Sequence, residues 1–243
     1  MIVEASGLDA ASAYKLLIGS IVPRAVAWVS TVSRDGVGNI APISFFTAVS
    51  RKPPMVSITL QPRSDGVTLK DTLVNIQDTG EFATNLVSLP QAHHMHRSAV
   101  EFASEVDEFE ALGLEKGPCQ TIRAPRICGA PISFECVVDR IIPVGDMLDH
   151  VVWGQVVNFH IRDDLYLDRG RIDTAAVPVV GRLAAEYTLV NNVFTTPLDE
   201  DVLETRQTKR MARLDAHAEN WSPIDTAEWS PSGSTALAKE ANA

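Results

Sequence analysis

The chain has 243 residues, 45% of them hydrophobic, and a formal net charge of −10. That is enough apolar material for one large domain with a real core, and the negative balance argues against a nucleic-acid or acidic-membrane partner, which would need a basic face. No apolar run approaches the length of a membrane span, and the opening MIVEASGLDAAS has neither a basic n-region nor an apolar h-region, so a cytoplasmic location is expected.

In chain order, residues 8–19 read as a short helix with Tyr14, Leu17 and Ile18 on one side and Gly19 as its stop. Two strands follow, 25–33 and 38–42, joined by Arg34-Asp35-Gly36-Val37, whose Asp-Gly pair is a hairpin signal. A strand over 55–60 comes after Pro53-Pro54. The run QPRSDGVTLKDTLVNIQDTG (61–80) then reads as a tight turn around Pro62, Ser64, Asp65 and Gly66. A helix follows it, with Thr68 as N-cap, Leu69, Leu73 and Ile76 on its apolar face, and Gly80 as stop. A strand over 81–88 leads into a segment, 90–113, that reads as helical and then irregular. Its acidic run, Glu105, Asp107, Glu108 and Glu110, is expected to be a solvated face. Two long Val- and Ile-rich strands, 131–144 and 150–162, complete the pattern. Short strands, one substantial helix and several turn clusters predict a mainly β fold, a closed antiparallel barrel with peripheral helices. The domain is expected over 1–197. Beyond it, 198–243 reads as a tail whose polar part, 199–217, has helical character and which orders against a partner.

Two stretches carry the candidate chemistry. The turn and helix start within 61–80 can hold an oxyanion, because backbone N–H groups of the turn and of the helix N-terminus converge there. Arg63 and Lys70 flank that end, and the hydroxyls of Ser64, Thr68 and Thr72 could complete a shell suited to one phosphate monoester. The second stretch, NIAPISFFTAVS (39–50), offers adjacent aromatics, a proline and small residues, a flat apolar wall with backbone polar groups at its edge. A planar heteroaromatic ring fits such a wall; two buried core phenylalanines would give the same pattern. No G-x-G-x-x-G occurs, so a nicotinamide cofactor would be a transient substrate without its own Rossmann domain. Cys119, Cys128 and Cys136 match no zinc or redox spacing and read as packing residues. Among His93, His94 and His96, only His93 and His96 share a helix face, with no further ligand spaced to complete a site, so no metal is expected. His150 and His160 share a strand face but stand roughly 33 Å apart, too far to serve one small ligand.

The order Pro23-Arg24, Ala27-Trp28-Val29-Ser30-Thr31, Asn39-Ile40-Ala41-Pro42, Ser44-Phe45-Phe46, Pro53-Pro54, Lys70-Asp71-Thr72 and Gly80-Glu81-Phe82 resembles the flavin reductase-like family. It continues through Val106 to Glu110, Ala124-Pro125-Arg126, Phe134-Glu135-Cys136 and Gly154-Gln155-Val156-Val157. The resemblance covers about residues 14–190 and implies an FMN-binding split barrel of the flavoredoxin and two-component flavin reductase type. It places the flavin ring edge against Asn39, Ala41, Pro42, Ser44, Phe45 and Phe46, and the phosphate end at Lys70, Asp71 and Thr72 with Arg63 nearby. Backbone N–H groups around Ser44 to Phe46 would steady the reduced ring, with Arg182 as a cation at the site, and His150 would face the nicotinamide side. The resemblance also implies FMN or alternatively FAD as cofactor, NAD(P)H as transient substrate and a homodimer. Free flavin, an oxygenase or another acceptor would receive the electrons; a flavoredoxin-like carrier and a specialised enzyme for a small organic substrate are the alternatives. One departure stands out: relatives often carry Gly-Gly after an arginine near the barrel's end, where this chain reads Arg182-Leu183-Ala184-Ala185.

Overall fold

The computed structural model describes residues 1–168 and 170–190. The expected tail, 198–243, lies outside them. In chain order the elements are α1 (Ala10–Ser20), β1 (Arg24–Ala25), β2 (Ala27–Val32), β3 (Gly38–Ile43), β4 (Phe46–Arg51), β5 (Pro54–Leu60), α2 (Asp71–Thr79), β6 (Glu81–Leu86), α3 (Ala92–Arg97) and α4 (Glu108–Leu112). They continue with β7 (Lys116–Gly117), β8 (Arg126–Ile127), β9 (Ile132–Val144), β10 (Asp149–Ile161), β11 (Tyr166–Leu167), β12 (Arg171–Ile172), β13 (Val179–Arg182) and β14 (Tyr187–Val190). Seven strands form one antiparallel sheet in the order β3-β2-β6-β9-β10-β5-β4, and β1-β13-β14 form a smaller sheet beside it.

Alternation along each strand builds the core. Ala27 and Val29 of β2 join Ile43, Val56, Ile58, Leu60, Phe82, Cys136, Val152 and Val156 from five other strands, with Leu73 and Ile76 of α2 packed among them. The intervening Trp28 points the other way, into a second cluster with Ile40, Met95, Phe109, Ile127 and Val180. Strand β2 is therefore buried on both faces, which fits its near-continuous apolar sequence. Trp28 is fully buried and its indole N–H donates to Ser98 Oγ at 2.8 Å, so its one polar atom is satisfied. Gly154 shows how tightly the first cluster is packed. A Cβ built there would lie 2.5 Å from the Phe82 ring, at a register shift where β10 bends against β9.

Several expectations hold in detail. Gly36 turns the β2–β3 hairpin at a φ of +91°, and Gly80 ends α2 in the left-handed region at +72°. Others are corrected. Strand β4 was not expected; it is an edge strand whose Thr47, Ala48 and Val49 are exposed, so it lacks the half-buried alternation that marks a strand. Thr68 does not cap α2. Lys70 holds the N-cap position without a side-chain cap bond, while Thr68 Oγ1 donates to Asp65 Oδ2 at 2.5 Å. The acidic run is not a uniformly solvated face. Asp107 caps α4 and accepts the Gly38 N–H at 2.9 Å, and Glu108 is buried.

Candidate functional site

Three adjoining cavities run along one side of the barrel. The first, about 80 Å3, is lined by Asn39, Pro42, Arg63, Lys70, Thr72 and Glu108, with Ala41 and Asp71 also at its wall. The second, about 230 Å3, shares Pro42 and Lys70 with it and adds Ser44, Phe45, Gln61, His96, Arg182 and Tyr187. The third, about 460 Å3, shares Tyr14, Phe45 and Gln61 with the second and Arg63 with the first. Its remaining wall includes the apolar side of α1, with Ala10, Ala13 and Leu17. The third cavity is therefore the least polar of the three.

The polar end is built by β3 and α2. Thr72, in the first turn of α2, is buried and bonds Asn39 at 3.0 Å, which Thr31 also contacts at 3.2 Å. Thr72 and Thr31 hydroxyls satisfy the Asn39 amide oxygen, and its Nδ2 donates to Glu108 Oε1 at 3.1 Å. Glu108 Oε2 accepts the Ile40 N–H at 2.9 Å. Burial, reinforced by the neighbouring Asp71 and Asp107 charges against the lowering effect of the Ile40 bond and Arg63, raises the Glu108 carboxyl to about 7.

The 61–68 turn does not serve as the expected anion nest. Ser64 gives both its N–H (2.7 Å) and its hydroxyl (2.8 Å) to Glu101, and Asp65 accepts the N–H groups of Val67 and Thr68. The turn's donors are spent on its own Asp65 and on Glu101 from outside it. Arg63 is likewise engaged, with Asp71 at 2.5 Å and the Phe102 carbonyl at 3.0 Å. What stays open is the start of α2, whose first-turn N–H groups receive no side-chain cap, and the Lys70 ammonium, which borders both the first and second cavities. An anion here would be met by Lys70 and a helix N-terminus together.

The middle cavity is closed by the small sheet. Arg24 and Arg182 are paired across β1 and β13. Arg24 is buried, and its guanidinium donates to Ser44 Oγ (3.3 Å), the Ile18 and Ile21 carbonyls (2.5 and 3.0 Å) and the Leu183 carbonyl (2.7 Å). It thus ties α1, β3's end and β13's end to one point. Arg182 lies over the Tyr187 ring at 4.6 Å, and the Tyr187 hydroxyl meets His96 Nδ1 at 3.1 Å.

The fold thus brings Asn39, Ala41, Pro42, Arg63, Lys70, Asp71 and Thr72 to one cavity, and Ser44, Phe45 and Arg182 to the next. Two expected residues stand apart. Phe46 packs against the barrel core, and His150, at the β5 side of β10, donates from Nδ1 to the Leu148 carbonyl at 2.7 Å and borders none of the three cavities. Among the residues that line the site but were not singled out for it from the sequence are Tyr14, Gln61, His96 and Glu108. Only tertiary placement identifies them, since each reads locally as helix face, turn or surface. Ala184 lines the second cavity, so the departure noted above falls on that part of the site.

Residues 18–176 match the family described as Flavin reductase like domain. A protein of Aquifex aeolicus is 40% identical over 179 residues, spanning 74% of this chain and 90% of that one. Among solved structures, nitrilotriacetate monooxygenase component B from Bacillus cereus superposes with a TM-score of 0.77 at 31% identity, covering 81% of this chain and 98% of that one. The 2-nitrobenzoate 2-nitroreductase of Pseudomonas fluorescens gives 0.73 at 29% identity, covering 82% and 96%. The antiparallel architecture is that of the split barrel.

Proposed function

The chain belongs to the flavin reductase-like domain family, and from that membership we propose that it is an FMN-dependent oxidoreductase, an NAD(P)H:flavin reductase passing electrons to free flavin, a partner oxygenase or another acceptor. The observation that carries this reading is the continuity of the cleft. An open helix N-terminus with Lys70 at one end runs, through Pro42, into a wall of Phe45 and Tyr14 at the other. That gradient suits a ligand with a phosphate at one end and a flat apolar ring at the other.

The residues present fit FMN. Lys70 and the first turn of α2 would take the phosphate, Asn39, Ala41 and Thr72 the polar middle, and Pro42, Ser44 and Phe45 the ring edge. When bound, FMN supplies a ring able to accept a hydride and release electrons singly or in pairs. Arg182 would set a positive charge beside the ring, favouring its anionic reduced form, and its stacking on Tyr187 and the Tyr187–His96 bond would hold that charge in place. Phe45, Tyr14 and the α1 face would exclude water from the ring's outer side. The Cβ of Ala184 would narrow the adjacent space where a glycine would leave it open.

A homodimer belongs to the same proposal. Helix α1 buries no residue, and Tyr14, Leu16, Leu17 and Ile21 are exposed on or just beyond it, a surface that a second copy could cover. Light scattering on a sizing column tests it.

The visible spectrum of the purified protein, before and after anaerobic NADH or NADPH, tests the reading as a whole. Flavin bands, native or after adding FMN, that bleach within seconds support a reductase. Slow bleaching with rapid reduction by a redox protein would shift the assignment to an electron carrier. Failure to bind FMN at all would refute it.

A further inference from the structure

Away from the cleft, the loop 118–125 folds over a buried carboxylate on the sheet. Glu135, fully buried on β9, accepts the N–H groups of Gln120 and Thr121, each at 2.7 Å, and of Ile122 at 3.4 Å. Asn158 Nδ2, from β10, adds a fourth bond at 3.1 Å and also reaches Thr121 Oγ1 at 2.6 Å. Burial alone would raise this carboxyl, but these bonds and the one from His160 outweigh it and bring Glu135 down to about 2. His160, ten residues along β10 from His150, places Nε2 2.5 Å from Glu135 Oε1. Cys119, the residue just before the wrapped N–H groups, brings its Sγ to the same spot. One ligand atom from each of Cys119, Glu135 and His160 lies within 4.8 Å of the other two.

We propose that Cys119, Glu135 and His160 form a binding site for a divalent cation of the zinc class, stapling loop 118–125 to strands β9 and β10. Thiolate sulfur, imidazole nitrogen and carboxylate oxygen are the three donors that Zn2+ accepts together, and one of each leaves a fourth position for water. Cys119 and His160 are half-buried, so solvent can supply that ligand. The backbone N–H groups on Glu135 are the outer shell such a ligand needs, because they hold the carboxylate in orientation. Ligand atoms around a tetrahedral zinc stand about 3.3–3.8 Å apart given its bond lengths. The His160–Glu135 pair must therefore open by roughly an ångström, and the half-buried imidazole can make that movement. On binding, the thiol proton leaves to solvent. The ion takes the place of the Nε2 proton between imidazole and carboxylate; that proton moves to Nδ1 of a neutral imidazole or leaves to solvent from a charged one, so that Nε2 presents its lone pair to the ion. A redox role fits less well: burial first, and then the Glu135 charge, push the Cys119 thiol up to about 11, whereas redox-active cysteines are ionised near neutrality. The sequence conceals this cluster because its members lie 16 and 25 residues apart on a loop and two strands.

The full-length protein, treated with chelator and dialysed against micromolar Zn2+, is expected to retain one equivalent by mass spectrometry of the metal, with a zinc–sulfur distance of about 2.3 Å in X-ray absorption. Zn2+ should also slow alkylation of Cys119 in the unaltered protein at least tenfold, a readout that requires no variant. Cys119→Ser should lose the sulfur signal and His160→Gln should weaken retention at least tenfold, while Cys128→Ser and His94→Gln leave both unchanged. No retained metal, or retention undiminished in Cys119→Ser, would overturn the site. The latter would place the ion elsewhere, for instance at His93, His94 and His96. None of these readouts depends on flavin.

Discussion

Glu108 offers a direct test of how the polar end of the cleft is built. Its carboxyl rises from 4.5 to about 7 because the side chain is buried with only Ile40 N–H and the Asn39 amide to satisfy it. Between those two pH values the folded protein holds a proton that the unfolded chain has released. Stability must therefore fall as pH rises through this window. The contribution is complete below about pH 4.5 and gone above about pH 7. A shift of this size corresponds to about 3 kcal/mol, with each pH unit inside the window removing up to about 1.4 kcal/mol. Glu108→Gln keeps the neutral form's shape and cannot ionise. Urea unfolding followed by tryptophan fluorescence, run from pH 4.5 to 8, should show the stability difference, variant minus wild type, growing by about 3 kcal/mol and levelling off near pH 7. Parallel curves would refute the reasoning. They would mean that water or Arg63 keeps the carboxylate charged in the fold at no cost. Because Glu108 and Lys70 border the same cavity, an anion bound there should also raise the Glu108 midpoint.

Lys70→Ala should weaken FMN binding by about 1.5–3 kcal/mol, the size of one charge-assisted hydrogen bond; unchanged affinity in a fluorescence titration would remove Lys70 from the site. Gly154→Ala should lower unfolding stability by about 1–3 kcal/mol, since its methyl would meet the rigid, fully buried Phe82 ring at 2.5 Å, and an unaltered melting curve would show that the barrel can give there. Arg24→Lys replaces a planar fork reaching four acceptors with a point charge. It should cost about 1–2 kcal/mol and loosen α1, measurable as faster proteolysis near residue 20, with retained protection counting against the tie.

What could be read from the sequence was whatever is encoded locally. Gly36 and Gly80 occupy positive-φ positions that few other residues tolerate, and the alternation in β9 and β10 is long enough to be unambiguous. Much of the cleft was legible through ordered short motifs, because Asn39, Pro42, Lys70 and Thr72 lie on two elements whose ends meet. The rest depended on partners distant in sequence. Thr68 is as good a cap residue as any, but Asp65 three positions earlier takes its hydroxyl first. Glu108 sits in an acidic run and is nevertheless buried, since the hairpin presents it with the Ile40 N–H and the Asn39 amide. Strand β4 escaped notice because an edge with exposed side chains has no burial pattern to display.

The way α1 is fastened has a kinetic corollary. The helix contributes the apolar wall of the third cavity, buries none of its residues, and is clasped at its last turn by one guanidinium, that of Arg24. Its amide protons should accordingly exchange with solvent through a local opening that exposes little surface and depends weakly on urea. Those of β2, β6 and β9 should wait for global unfolding. Unless a second copy covers α1, the outer wall of the cleft can then swing away and return many times within the lifetime of the folded barrel, so that the traffic of a large ligand is set by one clasp and not by the stability of the whole.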